Sequence, residues 1–279
     1  MPIGSTLPFS QTGAFMSQER SAHTGHSRRE QILAELRSQR SVRVSELAPR
    51  LAVSEMTIRR DLELLADAGL ADKVHGGASL RRPSNNDEPG FDNKLGRNRS
   101  EKEAIAAAAV SLIQPATAIG IGAGTTTWRL AQLLGEVADL VVVTNSIRIA
   151  AVLEDQGRPD RTVILTGGVR TPSDALVGPV AEQSLRTLNL DVVFLGTHGV
   201  SARAGFMSPN LAESETNRVF IETAERVVVL ADHTKWNVSG LSSFASLGEP
   251  SVLISDSRLS PEAQDAFRDQ RTMLKLVST

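Results

Sequence analysis

The sequence predicts an α/β protein with an N-terminal winged helix-turn-helix and a C-terminal domain built on a mostly parallel sheet. Three observations lead to this prediction: closely spaced, capped helices near the N-terminus, a Gly-Gly turn between two short strand patterns, and a long region of alternating strands and helices. Apolar strands that alternate with helices are typical of a parallel sheet covered on both faces. The 279 residues are enough for two such domains.

The first helices have the caps and the short connection of a helix-turn-helix. Residues 27–30, Ser-Arg-Arg-Glu, form a capping box ahead of a helix with an apolar stripe. A second helix is expected over residues 45–51, and Ala52-Val53 leaves room only for a tight turn before Ser54 caps a third helix. This third helix is expected to stop at Gly69.

The third helix is predicted to have one apolar face and one basic face. With a period of about 3.6 residues, Ile58, Leu62 and Leu65 share the side that packs. The residues expected to point outward are Met56, Arg59, Arg60 and Glu63. An exposed basic helix face can contact the phosphates and base edges of DNA. The pattern therefore indicates a DNA recognition helix.

A wing is expected next, because residues 70–80 alternate weakly around Gly76-Gly77. The candidate DNA contacts are Ser54 and Thr57 at the helix start, Arg59 and Arg60 on the basic face, and Lys73 and His75 on the wing. A small helical bundle with a solvated basic face is the alternative interpretation.

The distribution of charge favours the DNA-binding interpretation. Residues 28–82 contain 11 Lys and Arg against 8 Asp and Glu, whereas residues 83–279 contain 18 against 23. The formal net charge of −2 therefore hides a basic N-terminal part and an acidic C-terminal part. Only the N-terminal part is expected to bind DNA.

Composition excludes several other classes of protein. The chain has no cysteine, which rules out disulfides and Cys-based metal sites and is consistent with a reducing cytoplasm, the compartment we expect. The five histidines have no metal-ligand spacing, so neither a metal nor another cofactor is expected. No apolar run approaches the length of a membrane span of about 18 residues, so no membrane partner is expected.

Polar, glycine-rich segments follow five predicted strands of the C-terminal part. These segments are residues 122–127 (GAGTTT), 144–146 (TNS), 166–170 (TGGVR), 196–199 (GTHG) and 231–235 (ADHTK). Ligands of open parallel sheets bind outside the carboxyl ends of the strands. Backbone N–H groups at a Gly-rich helix start, threonine hydroxyls and a cation together favour an anion, and a phosphorylated small molecule fits this chemistry best.

A dinucleotide site is the alternative for the first of these segments. The spacing Gly120-x-Gly122-x-Gly124 could form a loose dinucleotide-binding turn. A Rossmann unit would place an acid after the second strand to bind ribose hydroxyls, whereas residues 144–146 are Thr-Asn-Ser. This position therefore disfavours a dinucleotide.

Over residues 27–256 the chain resembles the DeoR-type (DeoR/GlpR) transcriptional regulators. The motifs that carry the resemblance are Val53-Ser54-x-x-Thr57-Ile58-Arg59-Arg60-Asp61-Leu62, Val74-His75-Gly76-Gly77-Ala78, Gly124-Thr125-Thr126-Thr127, Val143-Thr144-Asn145-Ser146, Thr166-Gly167-Gly168, Val177-Gly178-Pro179 and Ala231-Asp232-x-x-Lys235. The resemblance implies a winged-helix head and a sensor domain related in fold to sugar-phosphate isomerases, which would bind a phosphorylated sugar or a related metabolite.

The resemblance also implies which residues line the effector site. These are Gly124, Thr125, Thr126, Asn145, Ser146, Gly168 and Lys235; Arg170 and His198 are added as the other basic residues at strand ends. Two positions depart from the family pattern, which commonly has an acid where Gly122 stands and often another at His198. Since those acids resemble sugar-hydroxyl partners, the departure bears on the sugar more than on the phosphate.

We expect four segments along the chain. Residues 1–26, rich in Ser, Thr, Gly and Gln and unlike a secretory signal, are expected to be a disordered tail; Met16 could equally be the start of translation. Residues 27–80 form the winged helix-turn-helix, residues 81–100 a linker, and residues 101–279 the effector-sensing domain.

Two functions from different classes are compatible with these patterns. The first is a repressor of carbohydrate genes that binds operator DNA as a homodimer or homotetramer, since one winged helix covers too little DNA for specificity. The second is a sugar-phosphate isomerase-like enzyme with a DNA-binding head, for which Asp232, Glu213 or Glu215 would supply the base. We expect no catalytic residues, because acids are missing at Gly122 and His198.

Overall fold

In a computed structural model of the chain, residues 27–36, 38–67, 70–80 and 90–279 are described. They belong to two compact units, Met1–Arg82 and Pro83–Thr279, which we call the N-terminal and the C-terminal unit. The expected disordered tail, residues 1–26, and residues 81–89 of the expected linker lie outside the described residues.

The N-terminal unit is a winged helix-turn-helix, as the sequence predicts. Its elements are α1 (residues 27–36), β1 (Ser41–Arg43), α2 (Val44–Arg50), α3 (Glu55–Asp67), β2 (Ala71–Val74) and β3 (Gly77–Leu80). Strand β3 lies between β1 and β2 in a small antiparallel sheet. Strand β1 was not expected, because a three-residue strand with one apolar residue leaves no alternating pattern to detect.

The predicted apolar face of α3 is buried. Ile58, Leu62 and Leu65 lie in the core, while Arg59 and Arg60 are exposed. The rest of this core consists of Ile32, Leu36, Val42, Val44, Leu47, Ala48, Ala71 and Ala78. The helical period therefore predicted correctly which side of α3 packs.

The wing depends on two adjacent glycines. Gly76 has a φ of 77°, in the left-handed region that favours glycine. A Cβ atom on Gly77 would lie 2.0 Å from the carbonyl oxygen of Val42, because β1 passes directly beside it. The Gly-Gly pair thus provides both the turn and the close approach of β1 to β3.

A buried carboxylate ties α1 to α3. The Asp61 side chain is 4% exposed and accepts a hydrogen bond of 2.5 Å from Arg28 Nε. Arg29 Nη1 lies 3.5 Å from the other carboxylate oxygen. Since a buried carboxylate needs such partners to offset its lost hydration, Asp61 positions α3 instead of contacting DNA.

Replacing Asp61 should therefore destabilise the N-terminal unit. We expect Asp61→Ala to cost about 1–3 kcal/mol, because both arginines lose their partner while remaining partly exposed. Faster amide hydrogen exchange in α3 of the full chain would report this. The control is Glu63→Ala, which removes an exposed 3.5 Å pair with Lys73 and should change stability by less than about 0.5 kcal/mol. Equal exchange in the two variants would contradict this role of Asp61.

The C-terminal unit contains a seven-stranded, all-parallel sheet in the order β15-β14-β12-β9-β4-β5-β6. The strands of this unit are β4 (Ala118–Ile121), β5 (Val141–Thr144), β6 (Thr162–Leu165), β7 (Val169–Arg170), β8 (Leu176–Val177), β9 (Leu190–Gly196), β10 (Gly199–Ser201), β11 (Gly205–Ser208), β12 (Ala224–Leu230), β13 (Ser242–Ala245), β14 (Val252–Asp256) and β15 (Met273–Val277). Strands β7 and β8 form a hairpin, and β10, β11 and β13 form a small second sheet.

Helices cover both faces of the parallel sheet, which confirms the predicted α/β class. They are α4 (Phe91–Leu95), α5 (Arg99–Val110), α6 (Thr125–Gln132), α7 (Ile147–Asp155), α8 (Pro179–Arg186), α9 (Leu211–Glu222) and α10 (Pro261–Arg268), with 3-10 turns at Leu134–Glu136 and His233–Lys235. Helices α5 to α7 pack into one apolar cluster with the sheet, and α8 to α10 into another.

Several short elements were not expected from the sequence. They are α4, the β7–β8 hairpin, the small second sheet and strand β15. Helix α4 and the first residues of α5 lie within the range expected to be linker, residues 81–100. A five-residue helix between Gly90 and Gly96 is too short to show a helical period, so its sequence looks like a connection.

None of the helices in the described ranges has the length and apolar character that a membrane crossing requires. Within the same residues, no group of three or more histidine, cysteine or acidic side chains is placed to hold a metal ion.

Candidate functional site

The basic face of α3 is open to solvent. Met56 is 75% exposed, and Arg59 and Arg60 are exposed beside it. Arg59 pairs with Glu55 at 3.4 Å, an exposed pair that water weakens. Arg60 has no ion-pair partner among the described residues, so both arginines can turn toward an external phosphate or base.

The remaining candidate DNA contacts lie at the start of α3 and on the wing. The hydroxyl of Ser54 accepts a hydrogen bond from the N–H of Thr57 at 3.2 Å, which confirms the predicted cap. Lys73 and His75 are exposed on the hairpin, and Lys73 lies 3.5 Å from Glu63. The structure therefore brings the six residues into one unit, and their contact with DNA stays a prediction.

A pocket opens at the carboxyl ends of β4, β9 and β12, which are neighbours in the parallel sheet. It encloses about 660 Å³, part of it open solvent. Its lining includes Gly124, Thr125 and Thr126 after β4, His198 after β9 and Lys235 after β12. Five of the nine predicted effector residues are thus brought together.

Three lysines line this pocket, two of which the sequence did not single out. Lys102, on α5, is 3% exposed, and its ammonium donates to the carbonyl oxygen of Lys94 at 2.6 Å. Lys94, on α4, donates to the Ser173 hydroxyl at 2.9 Å. With Lys235 the pocket holds three ammonium groups and a single carboxylate, that of Glu213.

Burial makes two of these lysines, Lys102 and Lys235, weaker bases than free lysine. The pKa of Lys102 is lowered to about 8: burial is the largest cause, the charge of Lys235 adds to it, and Asp232 acts in the opposite direction. Lys235 is partly exposed, but the surrounding protein still lowers its pKa by burial. The nearby carboxylate of Asp232 raises the pKa of Lys235 and so opposes this effect. An anion in the pocket would stabilise the charged form of both.

The start of α6 adds hydrogen-bond donors. Gly124 is its N-cap residue and supplies no side chain, so among the described residues no side-chain bond caps this helix. Thr125 and Thr126, both 7% exposed, line the pocket, whereas the Thr127 hydroxyl donates back to the Gly124 carbonyl. The first N–H groups of a helix carry partial positive charge and attract anions.

Asn145 and Ser146 do not line the pocket. The Asn145 side chain accepts from the N–H of Ala123 at 2.9 Å and donates to the carbonyl of Leu176 at 3.1 Å. Ser146 caps α7 by accepting from the N–H of Ile149 at 3.3 Å. Asn145 thus holds the backbone of Ala123, directly before the Gly-Thr-Thr segment. Direct contact of Asn145 or Ser146 with an effector stays a prediction.

Gly168 and Arg170 also lie outside the pocket lining. Gly168 has a φ of 120°, and a Cβ there would lie 2.6 Å from the carbonyl oxygen of Val177. The Arg170 side chain is 65% exposed and pairs with Asp174. Both residues shape the β7–β8 hairpin, whose loop supplies Ser173 to the pocket.

A side chain at Gly122, where the family commonly has an acid, would require the Leu195 side chain to shift. A Cβ on Gly122 would lie 2.7 Å from Leu195 Cδ2, with the Asn217 amide oxygen 3.7 Å away. The carboxylate of the pocket comes instead from Glu213 on α9, which accepts from the hydroxyls of Thr171 and Ser208 at 2.8 and 3.1 Å. From the sequence, Glu213 is expected only as a candidate base of the enzyme alternative, and its place in the pocket lining is seen in the structure.

The other acids of the enzyme hypothesis are placed less favourably. Asp232 is 2% exposed, and its Oδ1 accepts from Asn98 Nδ2 and the N–H of Thr234 at 3.0 and 3.1 Å, which holds the turn that carries Lys235. Glu215 is exposed on α9, and neither acid lines the pocket.

The lining residues that sequence reasoning missed include Lys94, Lys102, Ser173 and Asn217. Lys102 had a detectable signal, since it shares the apolar stripe of α5 with Ile105, Ala106 and Ala109. A lysine on a packing face needs a reason to be there.

Family models match most of the chain. A model described as the DeoR-like helix-turn-helix domain matches residues 28–83, and one described as the DeoR C-terminal sensor domain matches residues 97–257. The chain belongs to the DeoR family of transcriptional regulators. The pocket therefore lies in the domain that this family uses as a sensor, and the resemblance seen in the sequence is confirmed.

Several relatives are similar over nearly their full length. A protein of Escherichia coli O157:H7, named as a candidate aga operon transcriptional repressor, is 35% identical and covers 91% of this chain and 95% of its own. The transcriptional regulator GlpR of Haloferax volcanii is 36% identical over 80% and 86% of the two chains. The lactose phosphotransferase system repressor of Staphylococcus aureus is 30% identical over 83% and 92%.

Among solved structures, ribose 5-phosphate isomerase A from Methanocaldococcus jannaschii is 18% identical, with a TM-score of 0.37 over 50% of this chain and 55% of that chain.

Anion binding in the pocket should weaken with rising pH. Because the pKa of Lys102 is about 8, its ammonium is largely charged at pH 7 and largely neutral at pH 9. We expect the affinity for sulfate, whose charge is constant over this range, to fall by up to about tenfold in calorimetric titrations.

The Lys102→Met variant should bind sulfate more weakly and should no longer show the fall in affinity near pH 8. The Lys275→Met variant, which changes a lysine outside the pocket, should show the same fall in affinity as the unchanged protein. A pH-independent affinity in the unchanged protein would show that Lys102 does not face the anion.

Proposed function

We propose that this chain is a DNA-binding transcriptional repressor of carbohydrate genes, whose affinity for operator DNA depends on a phosphorylated sugar held in the pocket of the C-terminal unit. The observation that carries the proposal is the convergence of Lys94, Lys102 and Lys235 on one pocket in a domain that matches a sensor family. Three ammonium groups beside an uncapped helix start favour a ligand with at least two negative charges.

In this proposal the phosphate lies between the lysines and the start of α6. Thr125 and Thr126 offer hydroxyls and backbone N–H groups, and Lys102 faces them from α5. A phosphate monoester carries a charge of about −1.5 to −2 near neutral pH, which balances the excess positive charge of the lining.

The sugar end would lie toward Glu213, His198 and Asn217, which line the same pocket. A carboxylate, an imidazole and an amide can each bond a sugar hydroxyl. Because the acidic side chain of the pocket lining comes from Glu213 on α9, and glycine stands at position 122, we infer that this protein reads a sugar in another orientation, or another sugar, than relatives with an acid at that position.

On DNA, α3 would enter the major groove with Arg59 and Arg60 toward the bases and backbone. Ser54 and Thr57 would hold the start of the helix against a phosphate, and Lys73 and His75 would bring the wing to a neighbouring groove. The names of relatives support a sugar operon as the target, since one is a lactose phosphotransferase system repressor.

We also propose that the protein acts as a homodimer or homotetramer in the cytoplasm. A single winged helix contacts only one half-site, and paired half-sites one helical turn apart require two units. A mass measurement in solution that shows only monomer, with DNA and effector present, would contradict this part of the proposal.

The decisive test of the pocket is a thermal-shift screen with matched sugars, with and without phosphate. We expect stabilisation by phosphorylated sugars alone, and loss of it in Lys235→Ala, because a bound ligand stabilises in proportion to the logarithm of its concentration over Kd. Lys275→Ala, which changes a lysine outside the pocket, should respond like the unchanged protein. No shift with any phosphate would contradict the proposed ligand class.

Product analysis of the same mixtures separates the regulator from the isomerase-like alternative. Conversion of an added aldose phosphate to the ketose, lost in Glu213→Gln, would establish an enzyme and overturn the proposal.

The test of the DNA surface uses a duplex selected from a random pool by the full chain. We expect Arg60→Ala to weaken binding to this duplex by about 1–3 kcal/mol, with relaxed preference at one base pair if Arg60 contacts a base. Arg268→Ala, an exposed arginine on α10, is the matched control and should bind as the unchanged protein does. Unchanged affinity of Arg60→Ala would remove Arg60 from the interface.

A further inference from the structure

Residues 90–98 are the first described part of the C-terminal unit after the residues that connect it to the DNA-binding unit. They contain α4 and the turn before α5. The covalent connection from the described part of the C-terminal unit to the DNA-binding unit therefore begins at this segment.

The beginning of the segment is held against the wall of the pocket. Phe91 is 4% exposed, and its N–H donates to the carbonyl of Pro172 at 3.4 Å. Its ring meets Trp128 edge-on at 6.0 Å, and the Arg148 guanidinium lies 5.2 Å from its centre. Since Pro172 precedes Ser173 and Trp128 is on α6, α4 rests on two elements that line the pocket.

The middle of the segment is bonded to pocket cations. The ammonium of Lys94 lines the pocket and donates to the Ser173 hydroxyl at 2.9 Å. The carbonyl oxygen of Lys94 accepts a hydrogen bond of 2.6 Å from the ammonium of buried Lys102. An ammonium has three donors, so Lys102 can keep this carbonyl while it bonds an anion. An anion would also offer Lys94 an acceptor of opposite charge in addition to the neutral Ser173 hydroxyl, and ammonium–anion hydrogen bonds are short and strong.

The end of the segment is tied to the third lysine. Asn98 has a φ of 49°, and its amide donates to Asp232 Oδ1 and to Thr234 Oγ1, both at 3.0 Å. These two residues belong to the turn that carries Lys235. Asn98 itself does not line the pocket.

We propose that residues 90–98 are the coupling element of this protein, through which occupancy of the pocket changes the affinity of the N-terminal unit for DNA. An anion bridges Lys94 of this segment to α6 and to Lys235, and so draws α4 toward the ligand. The effect reaches the N-terminal unit through the covalent connection between the two units. The inference rests on the proposed function, and linkage requires that DNA binding change the affinity for the anion by the same factor.

The test measures coupling separately from binding in the full chain. The DNA probe is the selected duplex described above, and the anions are inorganic phosphate and the phosphorylated sugars of the thermal-shift screen. We expect an anion that stabilises the unchanged protein to alter its Kd for the duplex about fivefold or more, within the usual range of allosteric coupling.

The variants are Asn98→Gly, which keeps the left-handed backbone accessible, and Asn98→Ala. In both, the anion should still stabilise the protein, while the change in Kd for DNA falls below about twofold. Asn93→Ala is the control, since Asn93 is exposed on α4 and its side chain makes no hydrogen bond to the described part of the chain. Full coupling in both Asn98 variants would overturn the inference.

Amide hydrogen exchange gives an independent readout. With anion bound, peptides over residues 91–98 should exchange more slowly, together with those over residues 123–128 of the pocket. Slowing confined to residues 123–128 would contradict the coupling role and leave the proposed function intact. An absence of stabilisation and of slowing with every anion would refute the proposed function itself.

Discussion

The burial of lysine ammonium groups in one pocket is the constraint on which the site depends. Lys102 is almost fully buried, and Lys94 and Lys235 line the same space. A buried charge is tolerated only when partners replace its hydration. Here the partners are the carbonyl of Lys94 and the nearby carboxylate of Asp232, and an anion in the pocket would be a further partner for the ammonium.

The strand order of the parallel sheet brings distant parts of the chain together at this pocket. Strands β4, β9 and β12 are adjacent in the sheet although about a hundred residues separate the first from the last. Each is followed directly by a polar segment, so Gly124, His198 and Lys235 converge without long loops. This part of the site could be predicted, because strand patterns are visible in the sequence and ligands of such sheets bind at the strand ends.

What the sequence could not reveal is the direction in which a polar side chain points. Asn145 follows its strand as regularly as Thr125 follows β4, yet its amide bonds the backbone groups of Ala123 and Leu176 instead of lining the pocket. Conversely, Lys94 lies in a five-residue helix without a detectable period, and Ser173 in a hairpin loop with two-residue strands. Their place in the pocket depends on tertiary contacts, for which local pattern carries no information.

The contact between Phe91 and Trp128 has an optical consequence. Both tryptophans, Trp128 and Trp236, belong to the C-terminal unit, and the chain contains no tyrosine. Trp128 contacts Phe91 on α4, the helix that also carries Lys94, and Trp236 follows Lys235 directly in the chain, so each natural fluorophore is linked to a different lysine of the pocket. Emission from the unlabelled protein therefore reports on the sensor alone, and the DNA-binding unit contributes no tryptophan or tyrosine signal to it.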